Sequence, residues 1–106
     1  MERCAGGRAY RCTLKLVAIV WDSEKLKTNF EKHGVRFPDA EPAFQDPLAI
    51  TVTDYESDPS EERFLTMGLD ALGRVVVVVY AWRGDDIRLI SARLANPHER
   101  QEYENQ

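Results

Sequence analysis

The chain of 106 residues carries a set of cations at spacings that could do chemistry. Arg83 follows a valine-rich run, in a tight turn. Arg88, Ser91 and Arg93 fall on the segment Ile87–Ser91 and just beyond it, and Arg63 comes directly after Glu61 and Glu62. Upstream, Lys25, Lys27, Lys32 and His33 lie on one short stretch. Arginines and lysines with one histidine are the minimum for cleaving RNA without a metal. The ribose 2′-hydroxyl attacks the neighbouring phosphate, cations stabilise the charge that builds up, and a side chain moves the proton. The same residue types also make solvated faces and ion pairs, and residue type alone does not choose between the two.

Other chemistries lack their parts. No glycine-rich phosphate loop follows a strand, and no His/Cys pair stands at metal-ligand spacing. The cysteines, Cys4 and Cys12, are eight apart in a segment expected to be a loose arm; they read as incidental thiols rather than a disulfide framework. Nothing singles out a carboxylate pair for glycosidase work. With 43% hydrophobic and 30% charged residues the chain is ordinary globular material, long enough for one core. No apolar run approaches the ~20 residues of a membrane helix. Lys15 interrupts the first apolar stretch and Asp22 follows it without a small-residue cleavage site, which does not suit a signal peptide, and a cytoplasmic protein is expected. The net charge of -4 conceals an uneven distribution. Residues 1–36 sum to +4, residues 37–70 to -8 and residues 71–106 to zero. Steering depends on the local field, so the acidic total leaves room for a cationic patch.

Hydrophobic periodicity supplies the elements that must position these groups. Residues 1–13 have no period and read as a poorly ordered arm, leaving 14–106 as one domain. Residues 14–21 suit a strand. Ser23 offers an N-cap for a helix over 24–33 that Gly34 ends; Leu26, Phe30 and His33 share its face. A second helix is expected over 38–45, with Pro38 at its start and Pro42 a source of distortion. Strands follow at 48–53, 63–69, 75–82 and 87–91, the third buried on both faces and the last with Arg88 and Ile90 opposite Leu89 and Ser91. An acidic loop covers 54–62, and turns lie at Asp70–Gly73 and Gly84–Asp86. Asn96, Pro97 and Glu99 form a capping box for a helix over 97–105. The expected order is β-α-α-β-β-β-β-α, an α+β domain with two N-terminal helices and one C-terminal helix.

The ordered motifs resemble one family. WDSEK (21–25), NFEKHGVRF (29–37), AFQDPLAIT (43–51), EERFLTMG (61–68), GRVVVVVY (73–80), RLISARLA (88–95) and ERQEYE (99–104) follow the pattern of BrnT, the toxin of a bacterial type II toxin–antitoxin pair, from about Val20 to Glu104. The resemblance implies a RelE-like fold and an RNA-cleaving toxin that arrests translation and growth without metal or organic cofactor. It implies a BrnA-like antitoxin with a ribbon-helix-helix type DNA-binding part. The antitoxin would mask the toxin in an assembly of two toxins with two antitoxins, and the complex would reach promoter DNA only through the antitoxin. Carried over residue by residue, Lys25 would stabilise phosphate charge and His33 would be the acid/base group. Arg63, Arg88 and Arg93 would complete the catalytic set, with Lys27, Lys32, Arg83 and Ser91 binding substrate. Each has a structural counterpart: a helix-surface lysine, a half-buried histidine at a helix C-terminus, an arginine paired with a nearby acid, a serine bonded at a strand end. Trp21 and Asp22 read as a core anchor and a helix anchor. The chain departs from the family in the twenty residues before Trp21 and in Pro42, where Ala or Val is commoner. A catalytically inactive member, serving only as antitoxin-binding co-repressor or RNA-binding module, is the alternative reading.

Overall fold

The structure is a computed structural model that describes residues 9–14 (backbone), 17–54 and 61–106. The elements are β1 (Ala9–Leu14), β2 (Val17–Asp22), α1 (Ser23–His33), α2 (Phe37–Ala40), a 3-10 turn (Glu41–Gln45), β3 (Ile50–Asp54), β4 (Arg63–Leu69), β5 (Val75–Arg83), β6 (Asp86–Leu94) and α3 (Pro97–Glu104). They build a six-stranded sheet in the order β1-β2-β6-β5-β4-β3. All neighbours are antiparallel except β2 and β6, which run parallel and meet only at Ile19–Ile87 and Val20–Arg88.

The α+β class is as expected, but the order is not. Residues 9–13, expected in the arm, form with Leu14 a strand on the outer edge of β2, from Ala9 opposite Asp22 to Leu14 opposite Val17. Its origin is backbone pairing with an available edge, which requires no apolar period. Residues 1–8, including Cys4, and 55–60 of the acidic loop lie outside the described residues. The single helix expected over 38–45 is two pieces. Proline cannot donate an intrahelical hydrogen bond, and with Pro42 at its start the chain runs on as a 3-10 turn after Ala40. The N-cap of α1 is Asp22 rather than Ser23; its carboxylate accepts the Glu24 N–H at 2.8 Å. Gly34 ends α1 with φ 72°, a left-handed conformation that suits glycine.

Two apolar layers sandwich the sheet. On one face Ile19, Trp21, Val76, Val78, Tyr80, Leu89 and Ala92 pack with Val35, Phe37, Ala40 and Ala43 from the helical segments. On the other Met67 and Val77 pack with Ala95 and Tyr103 of the α3 region. The valine run is therefore covered on both faces as far as Ala81, and Trp82 and Arg83 emerge exposed. The 3-10 turn sits close on β4, where a Cβ at Gly68 would meet the Ala43 carbonyl oxygen at 2.8 Å.

The buried residue of α1 is Asn29, beside the expected apolar line of Leu26 and Phe30. Its Nδ2 donates to the Val35 and Ala92 carbonyls at 2.9 and 2.8 Å, and its Oδ1 accepts the Ala92 N–H at 3.0 Å. Leu26 is half-buried against the core, and Phe30 is exposed beneath the Arg36 guanidinium, 4.2 Å from its ring centre. The capping box of α3 is present as expected. Tyr103 anchors that helix by donating its hydroxyl hydrogen to Asp46, which also accepts the Leu48 and Leu69 N–H groups.

Asn29→Leu should lower the unfolding free energy by about 3 kcal/mol, because it strands backbone groups that are costly to bury unpaired. Urea denaturation reads this as a lower midpoint at unchanged slope. The bond to Asp46 pushes the Tyr103 phenol up to about 12. Its folded value lies above its unfolded one, so its stabilisation is complete below about pH 10 and fades as pH rises towards 12. Tyr103→Phe should remove a component near 12 from the ultraviolet titration of the tyrosines.

Candidate active site

Strand pairing decides which cations share a face. Ala81, Val79 and Val77 alternate along β5 and stand opposite Arg88, Ser91 and Arg93. These three β6 residues therefore lie on the α3 face of the sheet. The spacing is irregular because β6 holds one more residue than β5 where the register shifts beside Val79 and Tyr80. The bulge corrects the simple alternation expected from the sequence: Leu89 and Ala92, not Leu89 and Ser91, go into the core together. Arg63 is on the same α3 face, one step beyond the Phe64–Tyr80 pair and thus level with Ala81. Arg63 and Arg88 consequently flank the small buried Ala81 on neighbouring strands.

The two guanidiniums converge on Glu61. Arg88 donates to its Oε2 at 2.5 Å and Arg63 Nε donates to its Oε1 at 3.4 Å. All three side chains are about a quarter to a third exposed, at 24%, 25% and 32% for Arg63, Arg88 and Glu61. The Arg88 hydrogen bond, helped by Arg63, holds the Glu61 carboxyl below its usual range. Arg88 Nε is buried with no hydrogen-bond partner among the described residues. At the other end of β6, Arg93 grips Glu99 with two bonds of 2.8 Å, while Glu99 accepts the Asn96 N–H in the capping box. The Arg93 bond draws Glu99 down, and Glu99 raises Arg93.

The α1 candidates form a separate group. Lys25, Lys32 and His33 line a shallow hollow of about 180 Å³ with Thr28, Asn29 and Ile90, so it borders β6 at the bulge. His33 is exposed rather than half-buried, because Asn29 takes the inward position. Lys27 is exposed outside that hollow, and Arg83 is exposed at the β5–β6 turn opposite Asp86. The expected catalytic set is thus divided: Arg63 and Arg88 come together, Arg93 is tied to the start of α3, and Lys25 and His33 stand across the edge of β6. Glu61 was anticipated only as one of the acids near Arg63 and not as a partner of Arg88, although the Glu61–Arg63 spacing of two, read as strand, places both on one face.

A family model described as the ribonuclease toxin, BrnT, of type II toxin–antitoxin systems matches residues 21–99. The chain belongs to the BrnT family. Among solved structures it is similar to the Brucella abortus ribonuclease toxin, BrnT, at 27% identity and a TM-score of 0.57. That match covers 72% of this chain and 92% of the Brucella chain. No curated protein matches it. The BrnT match starts at Trp21, whose ring packs 6.1 Å from that of Phe37, and so excludes β1 and most of β2. Membership of a type II toxin–antitoxin family implies an antitoxin partner. Among the described residues no helix is long and apolar enough to cross a membrane.

Arg93→Ala should lower the unfolding free energy by about 1 kcal/mol at neutral pH, as expected for a partly exposed pair. Glu99 has a folded value below its unfolded one, so the pair stabilises above about pH 4.3 and its contribution disappears as pH falls further. Unfolding of parent and variant should converge in acid.

Proposed function

We propose that the chain is the toxin of a type II toxin–antitoxin pair and a metal-independent endoribonuclease that inhibits translation. The observation that carries this reading is the pair of guanidiniums on adjacent strands, both turned to one carboxylate. Two half-buried arginines that grip one anion can grip a phosphodiester in the same way, with planar forks matched to its oxygens. Arg88 Nε, without a partner among the described residues, is a further donor for a phosphate oxygen. In this reading Glu61 holds the arginines together until the phosphodiester displaces it. Arg63 and Arg88 then stabilise the charge that develops as the 2′-hydroxyl attacks. Ser91 lies on the same face and serves as a phosphate contact. Lys25, Lys32 and His33 meet the strand across the edge of β6, with His33 as the proton carrier, and Lys27 and Arg83 add outer electrostatic contacts. Arg93 acts by fixing the start of α3.

The similarity to the Brucella abortus ribonuclease toxin supports the assignment. The reading extends to the rest of the expected biology: a cytoplasmic location and a BrnA-like antitoxin with a ribbon-helix-helix type part. Two toxins would assemble with two antitoxins, and promoter DNA would be reached through that complex. A second reading has one observation in its favour, since Arg63, Arg88 and Arg93 all have carboxylate partners as structural arginines do. In that case the chain is an inactive co-repressor.

The purified chain, free of antitoxin, should cleave RNA in excess chelator and leave 2′,3′-cyclic phosphate ends. Arg63→Ala and Arg88→Ala should each slow cleavage about 100-fold or more. Intact RNA, or products with 3′-hydroxyl ends formed only with added Mg²⁺, would remove the proposed chemistry. Binding of the antitoxin without any cleavage would select the co-repressor reading.

A further inference from the structure

The helical face of the sheet has a hollow that the arginine site does not use. It is open, about 650 Å³, and lies near the β5–β6 turn. Trp82, Phe44 and Tyr80 contribute aromatic surface, and Gln45, Thr51 and Thr66 contribute polar groups. Among the described residues that line it, none is charged. Trp82 is 46% exposed, although neighbouring Ala81 is buried. Phe44 meets Tyr80 edge-on, with ring centres 5.0 Å apart, which makes a firm wall. Thr51, Thr66 and Tyr80 form a row of hydroxyls, with oxygen separations of 2.8 and 2.9 Å. Each hydroxyl can donate or accept.

We propose that this hollow is a nucleobase subsite, taking one unpaired base of an RNA strand whose phosphates run over the β5–β6 turn to Arg88. The proposal rests on the RNA-cleaving reading and adds to it the place where sequence preference is set. An uncharged hollow with an exposed indole suits a planar neutral ring, which stacks on Trp82 while its polar edge meets the hydroxyl row and the Gln45 amide. A phosphate would find no cation among the described residues that line it. The route to the arginines follows from strand alternation. Trp82 and Ile87 face the hollow from adjacent strands, and the preceding and following residues, Ala81 and Arg88, face the other way. Arg83 stands on the lip between them. A strand crossing that lip meets the indole, then Arg83, then the paired arginines.

Fluorescence can test this directly, because the chain has two tryptophans and Trp21 is only 1% exposed. The probes are four 2′-deoxy homotetranucleotides and an abasic strand of equal charge. None of them can be cut through a 2′-hydroxyl, so binding is measured apart from cleavage. Base-bearing strands should quench the emission saturably, and the abasic strand should not. Trp82→Ala should weaken binding of base-bearing strands about ten-fold or more and leave abasic binding unchanged. Trp82→Phe should abolish the quench but retain most of the affinity in a competition assay. Arg83→Ala should weaken both kinds of strand, with a smaller dependence on salt. Equal quenching by abasic and base-bearing strands, or unchanged affinity in Trp82→Ala, would overturn the subsite. So would Trp82 responding to the antitoxin alone. Base-dependent quenching without RNA cleavage would keep the subsite and remove the ribonuclease reading, and cleavage without base-dependent quenching would do the reverse.

Discussion

One side-chain amide stands in for a missing length of β-strand. β2 accompanies β6 only as far as Val20 and Arg88 and then turns into α1, which leaves the outer edge of β6 without a neighbour among the described strands. The Ala92 N–H and C=O point to that edge, and Asn29 satisfies both, as an adjoining strand would. The same amide takes the Val35 carbonyl just beyond Gly34. The position of α1, the exit of the chain from it and the far half of β6 are therefore fixed together. A leucine at this place would fill volume but leave three backbone groups buried and unpaired, and in a low-dielectric interior that loss is large. The packing of Val35 and Phe37, which opens the next helical segment, follows from where Asn29 holds the chain.

The candidate site depends on this arrangement from two sides. β6 presents Arg88, Ser91 and Arg93 to one face of the sheet, and its bulge puts Arg88 in step with the other two. The helix across the edge presents Lys25, Lys32 and His33. The two groups do not form one cluster. They border one strand from opposite directions, as befits an extended polymer rather than a small molecule in a cleft. Family membership and the Brucella structure say what kind of protein this is, while the placement of these side chains says only which of its cations stand close together.

Much of the frame was legible in the residues. The valine run, the Asn96–Glu99 capping box and Gly34 all act within one element, and each reads correctly because its cause is local. The failures have distant causes. The inward place of Asn29 leaves no local signal, because its partner Ala92 is 63 positions away. The β6 bulge is a property of how two strands pair, so the two-residue period misplaced Ser91 relative to Leu89. β1 arises from an open sheet edge, and the separation of His33 from Arg88 follows from which side of β6 the helix approaches. Pro42 lies between these cases: its local effect was visible, but the resulting 3-10 turn also reflects close packing against Gly68 of β4.

The pairing of the arginines with glutamates also has a consequence for how the protein would meet a polyanion. Arg63 and Arg88 are already neutralised in part by Glu61, as Arg93 is by Glu99. An RNA phosphate arriving at the first pair replaces an internal anion instead of adding to an open positive charge. Such an exchange releases fewer ions from the RNA than free arginines would, so affinity at this point varies little with ionic strength. On the proposed reading, the acidic total of the chain and an RNA-directed surface are parts of one design. The protein would carry its own counterions, which would limit indiscriminate adhesion to nucleic acid and reserve tight contact for a strand that can displace them.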